Sequence, residues 1–191
     1  LGAGPGGYSK YLKEESRSFI ASDLHKHENM SKHGIVFEEV DVMKPFPFED
    51  DKFDAIFCSS VIEHVSDPGN LLEESWRTLK SGGKLMLSFP PFYSLFLIGG
   101  HQFKPFHFLG EKLAVRLTNL VHQENHKSYK TCFGDNGLYP LTIDKVASLL
   151  EKHNFGLSEV FTRMGFINTA GLPGILKDLT TWHVCYVAYK L

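Results

Sequence analysis

An α/β chain built on a mostly parallel sheet is what this sequence predicts, and three observations predict it. The first is a glycine-rich turn at the very start, Gly2-Ala3-Gly4-Pro5-Gly6-Gly7, which leads into Tyr8 to Glu15 with Tyr8, Tyr11 and Leu12 at helical spacing. The second is a pair of short apolar runs, Phe19 to Ala21 and Val36 to Val40, that end at the carboxylates Asp23 and Asp41. The third is an alternation of buried-strand and amphipathic patterns through Phe53 to Phe89.

Taking the elements in order, Lys44-Pro45-Phe46-Pro47-Phe48 is a connecting loop, because proline donates no hydrogen bond and restricts the residue before it. Phe53 to Cys58 reads as a buried strand. Asp67-Pro68 then opens a helix with Leu71, Leu72, Ser75, Trp76 and Leu79 on its apolar face, and Gly82-Gly83 is expected to stop it. Lys84 to Phe89 makes the next strand. From residue 92 to residue 140 the rhythm breaks into a segment rich in aromatics, with one amphipathic stretch, Lys112 to Val121, and it reads as an inserted cap over the substrate. Thr142 caps a helix running to about His153, and Leu157 to Phe161 and Val184 to Tyr189 are the last two strands.

These elements give one Rossmann-like domain over residues 1–191: a seven-stranded sheet, six strands parallel and the last antiparallel, with helices on both faces. The chain opens inside its first motif, so the first strand is truncated in this chain and further residues are expected upstream of Leu1.

Composition narrows the class. A hydrophobic content of 42% in 191 residues is enough for a sizeable core. With 20 basic and 22 acidic residues, no charge excess points to nucleic acid or an anionic membrane. The apolar run from residue 92 to residue 100 is too short to cross a bilayer, so no stable membrane insertion is expected. Cys58, Cys132 and Cys185 are few and scattered, the pattern of a reducing compartment, and a cytoplasmic enzyme is the natural reading.

The glycine turn lets backbone approach a nucleotide-like ligand closely. Gly2, Gly4 and Gly7 also satisfy the dinucleotide pattern of dehydrogenases. Asp23, 21 positions after Gly2, stands where an acid accepts from ribose hydroxyls, which nicotinamide enzymes share. Asp41 is placed to accept from an adenine amino group, or simply to cap a strand-end turn. A nicotinamide-dependent oxidoreductase therefore remains open on the glycine pattern and Asp23 alone, whereas the intact glycine turn and both acids argue against a non-catalytic binding domain, a reading that the truncated first strand leaves open.

The segments LGAGPGG, FPFEDDKFDAIFCSSVIEHVSDP and LKSGGKLMLSFP together resemble the class I S-adenosylmethionine-dependent methyltransferases, in the small-molecule branch that includes the quinone-biosynthesis enzymes. The resemblance covers residues 1 to 90 and, more loosely, 140 to 191. It implies S-adenosylmethionine as cofactor. Gly2, Ala3, Gly4 and Gly6 would line its methionine and ribose portion, Asp23 would hold the ribose, and Asp41 and Val42 would flank the adenine. Cys58 and Ser59 would face the methionine end through their backbone, with Glu63-His64 at the mouth.

Methyl transfer from a sulfonium demands alignment, exclusion of water and removal of the acceptor's proton. His64 is the first candidate for that base, although a histidine there also suits a purely structural bond to neighbouring backbone. His101, Phe103 and His107 in the insert are the candidate acceptor-binding residues, with packing of the insert as their other use. His122 and His126 have helical metal-pair spacing but no third ligand, so no metal is expected. The apolar insert favours a small-molecule acceptor over nucleic acid, and nothing in the sequence identifies that molecule or the oligomeric state.

Overall fold

The computed structural model describes residues 1–95, 103–131, 137–164 and 167–191. After the glycine turn, a short helix α1 (Ser9–Glu14) leads to β1 (Ile20–Asp23), α2 (Glu28–Lys32) and β2 (Val36–Glu39). Strands β1 and β2 pair in parallel from Ile20↔Val36 to Asp23↔Glu39. Beyond the proline-rich loop come β3 (Phe53–Ser59), α3 (Pro68–Thr78) and β4 (Leu79–Phe89). Asp67 caps α3 by accepting from the Gly69 amide at 2.9 Å, and Pro68 occupies its first turn, where a missing donor costs nothing.

The glycine pair after α3 behaves differently from the expectation. The helix ends at Thr78 and β4 begins at Leu79, so Gly82-Gly83 lie inside the strand rather than ending the helix. The pairing jumps from Phe53↔Leu79 to Ala55↔Lys84, which pushes residues 80–83 out of the ladder. Gly82 takes φ +72°, and a Cβ on Gly83 would stand 2.8 Å from the Lys80 carbonyl, so the bulge admits only glycine there.

The C-terminal half supplies α4 (Glu111–His122), α5 (Ile143–Lys152), β5 (Phe155–Met164), β6 (Ile167–Asn168), α6 (Gly174–Thr180) and β7 (His183–Lys190). Thr142 caps α5 through the Lys145 amide, as its position in the sequence suggests. Strand β7 inserts between β4 and β5 and runs antiparallel to both, which gives the order β3-β4-β7-β5-β6.

The single seven-stranded sheet is corrected to two sheets, of two and five strands. Among the described residues β1 pairs only with β2, and β3 only with β4, so each keeps one unpaired edge. A cavity of about 1730 Å³ separates them, lined by residues of both strands, among them Ile20, Ala21, Ala55 and Phe57. Among the described residues, backbone hydrogen bonds of Leu1 and Ala3 bridge it. The Leu1 α-amine donates to the Phe57 carbonyl at 2.7 Å and the Ala3 amide donates to the Ser22 carbonyl at 3.0 Å. The physical reason is that strands join into one sheet only where their edges form a ladder of hydrogen bonds, and β1 and β3 line opposite sides of the cavity instead.

The main core lies on the face of the larger sheet where α3 and α5 pack, and includes Ile56, Cys58, Leu72, Leu85, Leu87, Val146, Leu150 and Tyr186. On the other face Tyr8, beside α1, meets Phe57 with ring centroids 5.8 Å apart. Residues between 92 and 140 form a second cluster of Phe92, Phe103, Ala114, Val115, Tyr129 and Leu138. Among the described residues no helix is long and apolar enough to cross a membrane.

The loop that carries the chain from β2 to β3 is fixed by one side chain. Arg77 on α3 donates to both carboxylate oxygens of Glu74, to Asp50 and to the carbonyls of Phe46 and Phe48. Replacing Arg77 with Ala is expected to cost about 1–3 kcal/mol in urea denaturation by leaving those acceptors without their donor. Lysine at the same position recovers only part of that loss, because it lacks the planar fork.

Candidate cofactor and acceptor site

The glycine turn, the carboxyl ends of β1 and β3 and the turn after β3 converge at one edge of the fold. Gly2 adopts φ +68°, and a Cβ on it would fall 2.1 Å from a methyl of Val61, so only glycine lets the chain pass the turn after β3. Gly4, at φ +49°, has nothing within 4 Å of its missing Cβ, which leaves its backbone open to a ligand. Ala3 packs partly against the small cluster of Ala21, Met30 and Ile35. Gly6 donates its amide to the Ala3 carbonyl at 2.9 Å and closes the turn.

Asp23 is bound into this turn. Its Oδ2 accepts from the Gly4 amide at 2.7 Å and its Oδ1 from the Leu24 amide at 2.7 Å. A carboxylate has about four acceptor sites, so two amide bonds leave it further acceptor capacity. Asp41 lies past β2, where its Oδ1 accepts from Met43 at 2.9 Å and its Oδ2 pairs with Lys44 at 3.0 Å. The Met43 amide, with help from Lys44 and against burial, holds its pKa below the usual carboxylate value. Asp41 thus caps its own turn while also lining a smaller cavity of about 330 Å³ with Leu24, His25 and Val40. Val42 packs against the main core and its carbonyl accepts from Asn70 at 2.8 Å.

At the end of β3 the alternation of the strand separates two neighbours. Cys58 points into the core, and burial pushes its thiol up to about 11, so it stays protonated and is no nucleophile. Ser59 points the other way and its hydroxyl accepts from Ser88 at 2.9 Å. The chain then turns through Ile62–His64, a single 3-10 turn. His64 Nδ1 lies 2.8 Å from the Gly137 carbonyl, and the Tyr139 amide donates to the Glu63 carbonyl at 2.8 Å. These two bonds fasten the start of the 137–141 segment over the turn.

The acceptor-binding candidates of the insert separate from this edge. Phe103 is fully buried against Tyr129, with ring centroids 4.6 Å apart, and His107 is buried between Phe92 and Phe108. The structure therefore places both side chains inside the second cluster. Burial, with Lys104 adding to it and a Ser94 backbone bond opposing, drives the His107 imidazole down to about 4, so it is neutral at pH 7. His101 lies outside the described residues. Among those described, no three histidines, cysteines or acids gather as a metal site.

Two features escaped the sequence reading. Glu63, expected at the mouth, is buried with neither carboxylate oxygen hydrogen-bonded among the described residues, a burial that no local pattern signals. His183, at the start of β7, comes within 3.5 Å of Ser60 across 123 residues of chain, a pairing that only the sheet order creates.

Residues 1–87 match the family described as "Methyltransferase domain". The chain is 26% identical over 133 residues to an uncharacterized methyltransferase of Mycolicibacterium vanbaalenii, a match spanning 67% of this chain and 51% of that protein. It is 40% identical over 60 residues to a tRNA U34 carboxymethyltransferase of Campylobacter hominis, covering 31% of this chain and 21% of the other. Its match thus spans about half the length of the first of these relatives and about a fifth of the second. Among solved structures, an S-adenosylmethionine-dependent methyltransferase of Mesorhizobium loti superposes with a TM-score of 0.65 at 19% identity, over 100% of this chain and 88% of that one. The chain has the class I S-adenosylmethionine-dependent methyltransferase fold, and its residues 1–87 carry the methyltransferase-domain sequence.

Burial gives Glu63 a testable signature. Desolvation raises its carboxyl from 4.5 to about 8 in the folded chain, so the folded state holds a proton that the unfolded chain has already released. Between those two values the unfolded state binds fewer protons, and stability must fall as pH rises from about 4.5 to about 8. Glu63→Gln, which mimics the protonated acid, is expected to flatten that decline and to be more stable at pH 7 by roughly 3 kcal/mol at most, read from chemical denaturation across pH.

Proposed function

We propose that this chain binds S-adenosylmethionine at the glycine turn and transfers its methyl group to a small organic acceptor. The observation that carries the reading is the Asp23 carboxylate held by the Gly4 amide, in a turn whose backbone is open at Gly4. A carboxyl group fixed by two amides keeps acceptor capacity for vicinal hydroxyls, while the open turn admits the chain attached to them. The donor set therefore fits the cofactor. When bound, that cofactor supplies a sulfonium-activated methyl group.

The remaining work falls to this chain's own residues. Gly2, Ala3, Gly4 and Gly6 present backbone to the ligand, and Asp23 accepts from its ribose. Asp41 and Val42 border the adenine end, with the small cavity beside Asp41 as its space. Cys58 and Ser59 end the strand that supports the methionine end. His64 stands at the mouth. Its bond to the Gly137 carbonyl requires a proton on Nδ1, so in the neutral ring the basic lone pair belongs to Nε2. That bond also gives His64 a positioning use, since it fastens the segment that closes over the turn. The described residues between 92 and 140, packed around their own cluster, belong to the cap on the acceptor side.

Calorimetric titration with S-adenosylhomocysteine, with NAD as control, tests the reading. Saturable binding of S-adenosylhomocysteine alone is expected. Asp23→Ala should weaken it by about 10- to 100-fold, the worth of a hydrogen bond to a charged group, while thermal unfolding shows the variant still folded. Binding of NAD instead would overturn it in favour of nicotinamide chemistry.

A further inference from the structure

Ser60 directly follows β3 and takes φ +54°, a left-handed backbone that a serine adopts only at a steric cost. Strain of that kind persists only where the surroundings impose it, and here the Ser60 amide is held by the Ser88 carbonyl at 2.8 Å. The result is an exposed hydroxyl 3.5 Å from Nε2 of His183, the outer limit of a hydrogen bond. Antiparallel pairing of β7 with β4, through Ser88↔Cys185 and Phe89↔Val184, brings the start of β7 to the carboxyl edge of β3 and β4. Along β7, Val184, Tyr186 and Ala188 enter the core, whereas His183 lies half-buried on the opposite face.

His183, Ser60 and Ser59 line one cavity with Gly2 and Gly4, and the half-exposed Trp182 joins them. The cations that line the same cavity, Lys13, Arg17 and Lys52, lie on α1, before β1 and before β3, and so toward the opposite ends of the strands. Among the side chains that line the cavity at this end, the Ser59 and Ser88 hydroxyls bond each other, which leaves the Ser60 hydroxyl and the His183 imidazole as the polar pair beside Trp182.

We propose that Ser60 and His183 form the acceptor-binding pair, which takes a neutral hydroxyl group on a ring-bearing small molecule: Ser60 orients the hydroxyl and His183 Nε2 accepts its proton. This rests on the methyl-transfer reading above. As the acceptor oxygen bonds to the methyl carbon, the carbon–sulfur bond breaks with its electron pair passing to sulfur, which becomes a neutral thioether. The hydroxyl proton goes to His183, and the imidazolium returns it to water. Burial, with the Val184 backbone opposing, lowers the His183 pKa and keeps the ring in the neutral form that this step needs. Trp182 supplies the apolar face for the ring.

The test uses the full chain with 13Cε1-labelled histidine, phenol as the hydroxyl probe and saturating S-adenosylhomocysteine, with His183→Gln to assign the resonance. Phenol is expected to shift the His183 signal saturably and to leave the exposed His25 and His33 unmoved. Ser60→Gly suits the left-handed backbone and removes only the hydroxyl, so it should weaken phenol by about tenfold. A His183 signal that phenol leaves unmoved while S-adenosylhomocysteine binds overturns the pair. A shift at His183 in a chain that binds no S-adenosylhomocysteine overturns the proton-transfer role and the methyl-transfer reading, leaving only a hydroxyl site.

Discussion

The geometry of the site depends on a three-residue backbone bridge. Leu1 and Ala3 bond to opposite sides, one to β3 through Phe57 and the other to β1 through Ser22, and in doing so hold two separate sheets at a fixed spacing. Because the glycine turn springs from that bridge, its carbonyls and amides are positioned by both sheets at once. Asp23 adds a third tie through the Gly4 amide. Beneath the bridge, among the described residues, β1 and β3 keep unpaired edges along a cavity.

The same edge sorts its ionisable groups by solvation. Asp41 sits where the Met43 amide reaches it, and that donor favours the charged carboxylate. Cys58, Glu63, His107 and His183 have been taken from water, and each is pushed toward its neutral form. For His183 this matches the chemistry proposed, because a group that receives a proton must start without one. Glu63 has no such use. It is a buried acid without a hydrogen-bond partner, and its cost is a structural property of the turn after β3.

Much of this was legible in the chain. Capping residues announced α3 and α5, because Asp67 and Thr142 each satisfy an amide two or three positions on, a strictly local bond. The ends of β1 and β2 were legible for a similar reason: a short apolar run that meets a carboxylate marks where a strand leaves the core. Gly82-Gly83 were misread as a helix stop because the same residue type also serves a bulge, and only the partner strand distinguishes the two. The insert's aromatics were read as an acceptor wall, yet Phe103 and His107 turned inward, since a segment that long needs a core of its own.

What the sequence determined alone, then, was every feature set within a few residues: the glycine turn, the caps, the strand-end acids and the class of fold they imply. The tertiary structure decided what depends on distant neighbours. It split the sheet in two, because strand pairing is a property of facing edges and not of one strand's pattern. It brought His183 to Ser60, because an antiparallel β7 inserted beside β4 returns the chain to the edge it left 123 residues earlier. It also fixed which acids are charged, because solvation is set by whatever else has packed around a group, and no local pattern records that.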